Sequence, residues 1–222
     1  MSWLTVAQSA MSSRLLLVRH GRTEMNEHLA VPGNEWGARY FNDPGLYDTV
    51  LTAEGEAQAR RLNAHFIKRP PNVELLICSP LRRALHTADI AFQGIGKMQR
   101  IVTPLAAERL FLSSDVGSPV ADLLAARFDT SWNFDAVADP WWHQPTADAE
   151  WRPPGKYCTH GEPQHAFDER MRCLIALLQS HDDVDSIALV CHSEVIFALT
   201  GKRVANCDCL ELRTSELRSP RA

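Results

Sequence analysis

The sequence predicts an α/β protein, a three-layer sandwich in which helices cover both faces of a mostly parallel sheet. Short, almost entirely apolar runs at residues 15–18, 74–78 and 186–191 have the pattern of strands that are buried on both faces. Between these runs lie segments with apolar residues at helical spacing. Strands that alternate with helices indicate parallel pairing through crossover connections.

The first predicted strand, residues 15–18, ends in an Arg-His-Gly turn at residues 19–21. Thr52 is the expected N-cap of a long helix, because its hydroxyl can accept a hydrogen bond from a free backbone N–H. That helix is expected to end before Pro70, since a second proline follows and neither can continue a helix.

A second predicted strand, residues 74–78, is followed directly by a helix. Ser79 is the expected N-cap and Pro80 the first helical residue, where the missing N–H of proline costs nothing. The helix is expected to extend to about Phe92. Residues 100–103 have the pattern of a third, short strand.

From residue 111 to residue 161 the periodic pattern disappears, and this stretch contains four of the six tryptophans and five prolines. A loop this long inside a compact domain usually carries function or covers a site, so we expect a cap-like insertion. Trp141 and Trp142 could stack on the organic part of a substrate, or could fill the core beneath the loop.

Regular patterning returns after the insertion. Apolar residues between positions 167 and 178 lie on one face of a predicted helix. A strand at residues 186–191 follows, then a short helix after His192, and a last strand at about residues 207–212.

The length of 222 residues fits one domain that carries an insertion. We expect a single domain over residues 1–222, with its core at residues 14–110 and 162–213. The cap-like insertion then occupies residues 111–161. Two alternatives are open for residues 1–13: they are a disordered leader, or Met11 is an alternative start.

Composition argues against several function classes. A net charge of −4 without runs of Lys or Arg argues against binding to nucleic acid or to an anionic membrane surface. No apolar segment approaches the ~20 residues that span a bilayer.

The six cysteines suggest no disulfide framework, so we expect a reduced, cytoplasmic protein. Cys207 and Cys209 could ligate zinc together with Cys158 and His160, but alternating cysteines along a terminal strand explain the pattern without a metal.

Unusual polar residues follow three of the predicted strands. Arg19 and His20 come after the first strand, residues 79–83 after the second, and His192 after the strand at residues 186–191. Ligands of open α/β sheets bind outside the carboxyl ends of the strands, so these side chains are expected to meet. Two arginines and two histidines beside a helix N-terminus predict a pocket for an anion.

Five sequence blocks at these positions resemble one known family. Residues 19–26 are similar to the pattern R-H-G-x-T-x-x-N, and residues 48–59 to D-x-x-L-T-x-x-G-x-x-Q-A. Residues 79–88 contain the block in which the catalytic arginine, here Arg83, precedes an alanine. Glu108 and residues 190–193 complete the set. Over residues 14–108 and 165–212 the chain therefore resembles the histidine phosphatase superfamily, in its phosphoglycerate mutase-like branch.

The resemblance implies a phosphoglycerate mutase-like fold and a phosphoryl transfer through a histidine. His20 is then the nucleophile, which attacks phosphorus as a neutral imidazole. Arg19, Arg83 and a protonated His192 hold the phosphoryl oxygens. Glu108 is the general acid for the leaving alcohol and the base for the incoming water. No metal or cofactor is expected, because the protein's own cations neutralise the phosphoryl charge.

Substrate binding is expected from five further residues, namely Gly21, Arg22, Thr23, Asn26 and Ser193. Asn26 and the turn at Gly21 supply neutral donors, and Arg22 adds positive charge at the pocket mouth. Glu194 stands where relatives usually have a small or apolar residue. Its carboxylate would repel a phosphate, so we expect it to point away or to pair with Arg22 or Lys202.

Two positions leave alternatives open. Asp115 could replace Glu108 as the general acid, and Arg82 could exchange roles with Arg83.

Three functions fit these residues. The first is a phosphatase that acts on a small phosphorylated metabolite, with a phosphoprotein as the alternative substrate. The second is a phosphoglycerate mutase, which is disfavoured because residues 111–161 do not resemble that part of the mutases. The third is a non-catalytic interaction module, which is disfavoured because all five catalytic positions hold competent residues. The sequence carries no signal for the oligomeric state.

Overall fold

The computed structural model describes residues 12–126, 128, 131–144, 154–181 and 183–219. Most of the predicted leader, residues 1–11, lies outside the described residues, as do residues 145–153 of the predicted insertion. The helices and strands are, in chain order, β1 (Arg14–Arg19), α1 (Glu24–Leu29), α2 (Ala53–Lys68), β2 (Leu75–Cys78), α3 (Arg82–Ala91), β3 (Gln99–Val102), α4 (Val120–Ala125), α5 (Gln164–Ser180), β4 (Ser186–Cys191), α6 (Ser193–Thr200) and β5 (Cys209–Arg213).

The sheet has the strand order β3-β2-β4-β1-β5, and the prediction of mostly parallel strands is confirmed. Only β5 is antiparallel to its neighbour, β1. The register aligns the ends of the four parallel strands, since Val18 pairs with Val190, Val190 with Cys78, and Cys78 with Val102. The residues that follow these four strands therefore lie along one edge of the sheet.

Alternate residues of β1 pack into two different cores, because successive side chains of a strand point to opposite faces. Leu15 and Leu17 pack with residues of α5 and α6. Leu16 and Val18 pack with residues of α2 and α3. Helices therefore cover both faces of the sheet, as the predicted three-layer sandwich requires. Strands β2 and β4 are buried along their whole length, which explains why their sequences do not alternate.

The start of α3 differs from the prediction. Ser79 is not its N-cap and Pro80 is not its first residue; the N-cap is Leu81, and the helix begins at Arg82. Asp48, from a loop distant in the chain, supplies the acceptor that Ser79 was expected to provide. Its Oδ1 accepts a hydrogen bond from the Arg82 N–H at 2.9 Å. The Ser79 hydroxyl lies instead 2.8 Å from Nε2 of His192.

The tryptophans in the described part of the predicted insertion pack on the core that contains α2 and α3. Trp132 and Trp141 are buried in that core, and Trp142 packs against it. The indole Nε1 of Trp141 donates to the carbonyl oxygen of Ser118 at 2.8 Å, which satisfies its polar atom. Of the two alternatives for Trp141, the structure therefore favours core filling.

The last strand begins at Cys209, later than predicted, because Cys207 has a left-handed backbone conformation (φ 60°) that cannot continue a strand. All six cysteines are free thiols. Within the described ranges, no three His, Cys, Asp or Glu side chains are grouped so that they could hold a metal ion. No helix in the described part of the chain has both the length and the apolar character needed to cross a membrane.

Candidate active site

A cleft of about 590 Å³ opens at the carboxyl edge of the parallel strands. Four of the five predicted catalytic residues line it, namely Arg19, His20, Arg83 and Glu108. The fifth, His192, is fully buried, and its ring centre lies 5.1 Å from that of His20. The aligned strand ends thus bring all five predicted catalytic residues together.

His20 is buried and has a defined tautomer. Its Nδ1 atom lies 2.7 Å from the carbonyl oxygen of Gly21. A carbonyl oxygen only accepts hydrogen bonds, so Nδ1 carries the proton and Nε2 keeps a free lone pair. Burial, and then the positive charges of Arg83 and Arg19, hold the pKa of His20 well below its ordinary value. The ring is therefore neutral at pH 7, in the form that a nucleophile needs.

His192 follows β4, and its ring contacts Ser79, the residue that follows β2. Its Nε2 atom lies 2.8 Å from the Ser79 hydroxyl, and its buried Nδ1 has no hydrogen-bond partner among the described residues. Burial and the charge of Arg83 hold the pKa of His192 well below its ordinary value. His192 is therefore neutral in the unliganded protein, and the protonated ring expected with a bound phosphoryl group stays a prediction. A bound phosphoryl dianion would favour the charged ring and raise that pKa.

Arg83, and not Arg82, is the helix arginine of the cleft. Its guanidinium is buried and donates to Asp115 Oδ1 at 3.0 Å and to the carbonyl oxygen of Ser114. Arg82 lines a different cleft. The second oxygen of Asp115 accepts two backbone N–H groups. Asp115 therefore orients Arg83 as its buried ion-pair partner, and this supporting role favours Glu108 as the general acid.

Arg19 reaches the same cleft from the end of β1. Its Nη1 donates to the carbonyl oxygen of Val204 at 2.8 Å. Its buried Nε has no hydrogen-bond partner among the residues that the structure describes. Buried donors in native proteins are usually satisfied, so this atom is available to an anion in the cleft.

Glu108 is partly buried, and its carboxylate accepts hydrogen bonds from the backbone N–H groups of Arg109 and Glu194, at 2.9 and 3.3 Å. Burial, followed by the negative charges of Asp115 and Glu194, raises the pKa of Glu108 to about 7. Acid and base forms then coexist near neutral pH, as a group that first donates and later accepts a proton requires.

A charged pair that sequence reasoning missed holds the backbone around Glu108. Arg170, from α5, donates to the two carboxylate oxygens of Glu162 at 2.9 and 2.6 Å. It also donates to the carbonyl oxygens of Leu105 and Ala107, at 3.0 and 2.7 Å. The fork of donors on one guanidinium thus fixes the chain that leads to Glu108.

The sequence block at residues 48–59 supports the catalytic loop. Gly21 and Gly55 pack backbone to backbone, and a Cβ atom on Gly55 would lie only 2.0 Å from the carbonyl oxygen of Arg22. The Gln58 side chain accepts a hydrogen bond from the Arg22 N–H at 2.9 Å. Thr52 is the N-cap of α2, as predicted, and its own N–H donates to the Arg22 carbonyl oxygen at 3.0 Å. This block therefore determines where the loop after β1 lies.

The predicted substrate-binding residues fall into two groups. Three of them line the cleft, namely Thr23, Asn26 and Ser193. Gly21 and Arg22 do not. The Gly21 N–H donates to the Thr87 hydroxyl at 3.0 Å, so it is not free for a substrate. Arg22 Nε lies 3.7 Å from a carboxylate oxygen of Glu27. Gly21 and Arg22 therefore lie outside the lining of the cleft, and their expected contacts with substrate stay a prediction.

Glu194 lines the cleft and pairs with Arg203, whose Nη1 lies 2.5 Å from its carboxylate. The expectation that it points away or pairs with Arg22 or Lys202 is therefore wrong. Because Arg203 lines the same cleft, it offsets the repulsion between this carboxylate and an anion.

Helix α1 was not predicted, although the R-H-G-x-T-x-x-N block contains its start. The Thr23 side chain accepts a hydrogen bond from the Asn26 N–H, and the Asn26 side chain accepts one from the Thr23 N–H. This reciprocal arrangement is a capping box, which fixes the first turn. The helix brings Met25 and Leu29 to the cleft.

Sequence reasoning also missed one whole side of the cleft. This side, here called the apolar wall, consists of Met25, Leu29, Trp36, Phe111 and Leu112. Trp36 and Phe111 lie in segments without helix or strand periodicity, so residue type was the only available signal. Arg109, Gln164 and Arg203 add polar atoms around this wall.

Comparison with known proteins relates the chain to one family and to named relatives. The family model of the histidine phosphatase superfamily (branch 1) matches residues 15–215. The adenosylcobalamin/alpha-ribazole phosphatase of Escherichia coli (strain K12) is 27% identical over 195 residues, which are 86% of this chain and 79% of that protein. A 2,3-bisphosphoglycerate-dependent phosphoglycerate mutase of Corynebacterium kroppenstedtii is 32% identical, but over 87 residues, which are 39% of this chain and 30% of the mutase.

Among solved structures, the alpha-ribazole phosphatase from Shigella flexneri is similar with a TM-score of 0.55 and 26% sequence identity. The match covers 89% of this chain and 89% of that chain. The similarity therefore extends over most of both chains.

Proposed function

The chain belongs to the histidine phosphatase superfamily (branch 1), and from this membership we propose that it is a metal-independent phosphatase, which hydrolyses phosphomonoesters through a phosphohistidine intermediate on His20. One observation carries the proposal. His20 keeps a free Nε2 lone pair between two arginines, and Glu108 lies in the same cleft with its pKa raised to about 7.

The reaction then has two steps. The Nε2 atom of His20 forms a bond to phosphorus while the bond from phosphorus to the ester oxygen breaks, and Glu108 transfers its proton to that oxygen. A water molecule next attacks the phosphohistidine, and Glu108 takes a proton from it. Inorganic phosphate leaves, and His20 regains its lone pair. Arg19 and Arg83 offset the charge on the equatorial oxygens in both steps.

His192 acts in this scheme through its contact with Ser79. The Ser79 hydroxyl oxygen accepts a hydrogen bond from the Leu81 N–H at 3.3 Å, and its own hydrogen can point to His192 Nε2. The proton of the neutral ring then lies on Nδ1, which makes that unpartnered nitrogen a donor for a phosphoryl oxygen.

The proposed substrate is a small phosphorylated metabolite. Alpha-ribazole phosphate is the first compound to test, because relatives of this chain carry the name alpha-ribazole phosphatase. The free thiols of all six cysteines fit the proposed cytoplasmic location, where disulfides are rare.

The test is phosphate release from a panel of phosphorylated metabolites, with EDTA present and with the His20→Ala protein alongside. We expect release that EDTA does not inhibit and that falls below about 1% of wild type in the variant, because no other group replaces the nucleophile. His65→Ala is the matched control, since His65 is an exposed residue of α2. Conversion of 3-phosphoglycerate to 2-phosphoglycerate that depends on a bisphosphoglycerate, without phosphate release, would identify a mutase instead.

A further inference from the structure

The apolar wall and the catalytic residues face one continuous cleft. Its volume of about 590 Å³ is typical of sites that enclose a drug-sized organic molecule, and is larger than a phosphoryl group requires. Arg19, His20, Arg83 and Glu108 surround the place for that group. The organic part of a substrate must then extend along the rest of the cleft.

Trp36 is the most accessible aromatic residue of this cleft. Its side chain is 44% exposed, and its ring centre lies 5.5 Å from that of Phe111. A large apolar ring that stays accessible beside catalytic residues is typical of a binding surface. Tyr40, which is 82% exposed in the same loop, does not line the cleft.

The wall is held in place by packing behind it. Met25 and Leu112 are buried together with Phe41, and Leu29 and Phe111 pack against this cluster. The guanidinium carbon of Arg109 lies 4.5 Å from the ring centre of Phe111, so this ring is also fixed from a second side. A surface fixed before binding loses little conformational entropy when a ligand arrives.

We propose that the apolar wall binds a flat aromatic group on the alcohol part of the substrate, so that the enzyme selects phosphomonoesters that carry such a group. The ring faces of Trp36 and Phe111 favour a planar π-system, whereas a bare sugar or polyol would lose hydration against Met25, Leu29 and Leu112. The catalytic part of this inference depends on the function proposed for His20; the binding part does not.

The test compares ribose 5-phosphate with a purine ribonucleoside 5′-monophosphate, because in both the leaving group is the primary 5′-hydroxyl of a ribose, and the nucleotide differs by the bicyclic aromatic base at the anomeric carbon. We expect kcat/KM to be about tenfold higher, or more, for the nucleotide. Trp36→Ala should abolish this preference, whereas kcat/KM for ribose 5-phosphate should stay within about twofold of wild type in Tyr40→Ala, whose residue does not line the cleft. Trp36→Phe should retain most of the preference, and the control Tyr40→Ala all of it.

Binding of the same two ligands to the His20→Ala protein separates this inference from the proposed function. A tighter Kd for the nucleotide, lost when Trp36→Ala is added, supports the aromatic site even if no phosphate is released from any compound. Equal Kd values, or a preference that Trp36→Ala does not change, would overturn the inference whether or not the enzyme is a phosphatase. If Trp36→Ala does not fold, Leu29→Gln removes apolar surface from the adjacent helix turn and must reduce the same preference.

Discussion

The charged wall of the cleft, formed by Arg19, His20, Arg83 and Glu108, is built differently from the apolar wall. Arg19 is the last residue of β1, and the other charged residues lie in the segments that follow β1, β2 and β3, whose register aligns the strand ends. The apolar wall comes from the short helix α1 and from loop segments around Trp36 and Phe111.

This difference predicts that the charged wall determines the rate of phosphoryl transfer, whereas the apolar wall determines which substrates are preferred. The charged wall has supporting contacts at nearly every position, from Asp115 behind Arg83 to Gly55 beneath the loop of His20. A change there should affect every substrate, because each substrate presents the same phosphoryl group. A change in the apolar wall should affect substrates according to their organic part. The following experiments test this division, from the largest expected effect to the smallest.

Replacing the proton donor should have the largest effect of the four. Glu108→Gln is expected to lower kcat/KM for an alkyl phosphate by about 10²–10⁴-fold, because a positioned acid no longer protonates the alcohol. The acid form is the active one in the first step, and its pKa is raised to about 7, so wild-type kcat/KM should fall as the pH rises above 7.

This alkaline limb should disappear in Glu108→Gln. The loss should also be smaller for 4-nitrophenyl phosphate, whose leaving group needs no proton. An alkaline limb that survives in the variant would assign that pKa to another group.

A pair of adjacent arginines tests the charged wall directly. Arg83→Lys should lower kcat by about 10²–10³-fold, since lysine cannot reproduce the fork of donors to Asp115 and to a phosphoryl oxygen. Arg82→Lys, one residue earlier, should stay within about twofold, because Arg82 lines another cleft. Similar losses in the two variants would contradict the assignment of Arg83.

Gly55 packs against the loop that carries His20 but does not line the cleft, so its substitution tests the position of that loop. In Gly55→Ala the new Cβ would lie 2.0 Å from the Arg22 carbonyl oxygen, so the loop that carries His20 must shift. We expect the free energy of unfolding to fall by about 1–3 kcal/mol and activity to fall by tenfold or more. The measurements are denaturant unfolding and steady-state kinetics.

Ala64→Gly, on the exposed face of α2, is the control for Gly55→Ala. It should cost about 1 kcal/mol of stability through helix propensity and should leave kcat unchanged. Full activity in Gly55→Ala would show that the loop tolerates the displacement.

The smallest expected effect is a change in pH dependence. The negative charge of Glu194 is one of the causes that raise the pKa of Glu108. Glu194→Gln removes that charge, so the pKa of Glu108 falls and the alkaline limb of kcat/KM moves to lower pH. Glu211→Gln, an exposed change on β5, should not move it. A shift of the limb to higher pH would contradict the sign of this interaction.

Sequence patterns predicted the features that depend on short stretches of chain. The apolar runs located the strands within one or two residues, and the cap at Thr52 located the start of α2. The motif blocks, placed at strand ends, predicted which five candidate catalytic residues would meet. Parallel strands in register necessarily bring such residues to one edge of the sheet.

The features that only the tertiary structure decided depend on residues that are distant from one another in the chain. Asp48 replaced the predicted cap of α3, and the Thr87 hydroxyl accepts the Gly21 N–H that was expected to be free for a substrate. The neutral state of His192 follows from burial among cations, which no local pattern encodes. The apolar wall needs Trp36 and Phe111 to meet across the fold. Periodicity and motifs are properties of neighbouring residues, whereas a pKa, a remote cap and a binding surface depend on the packed environment.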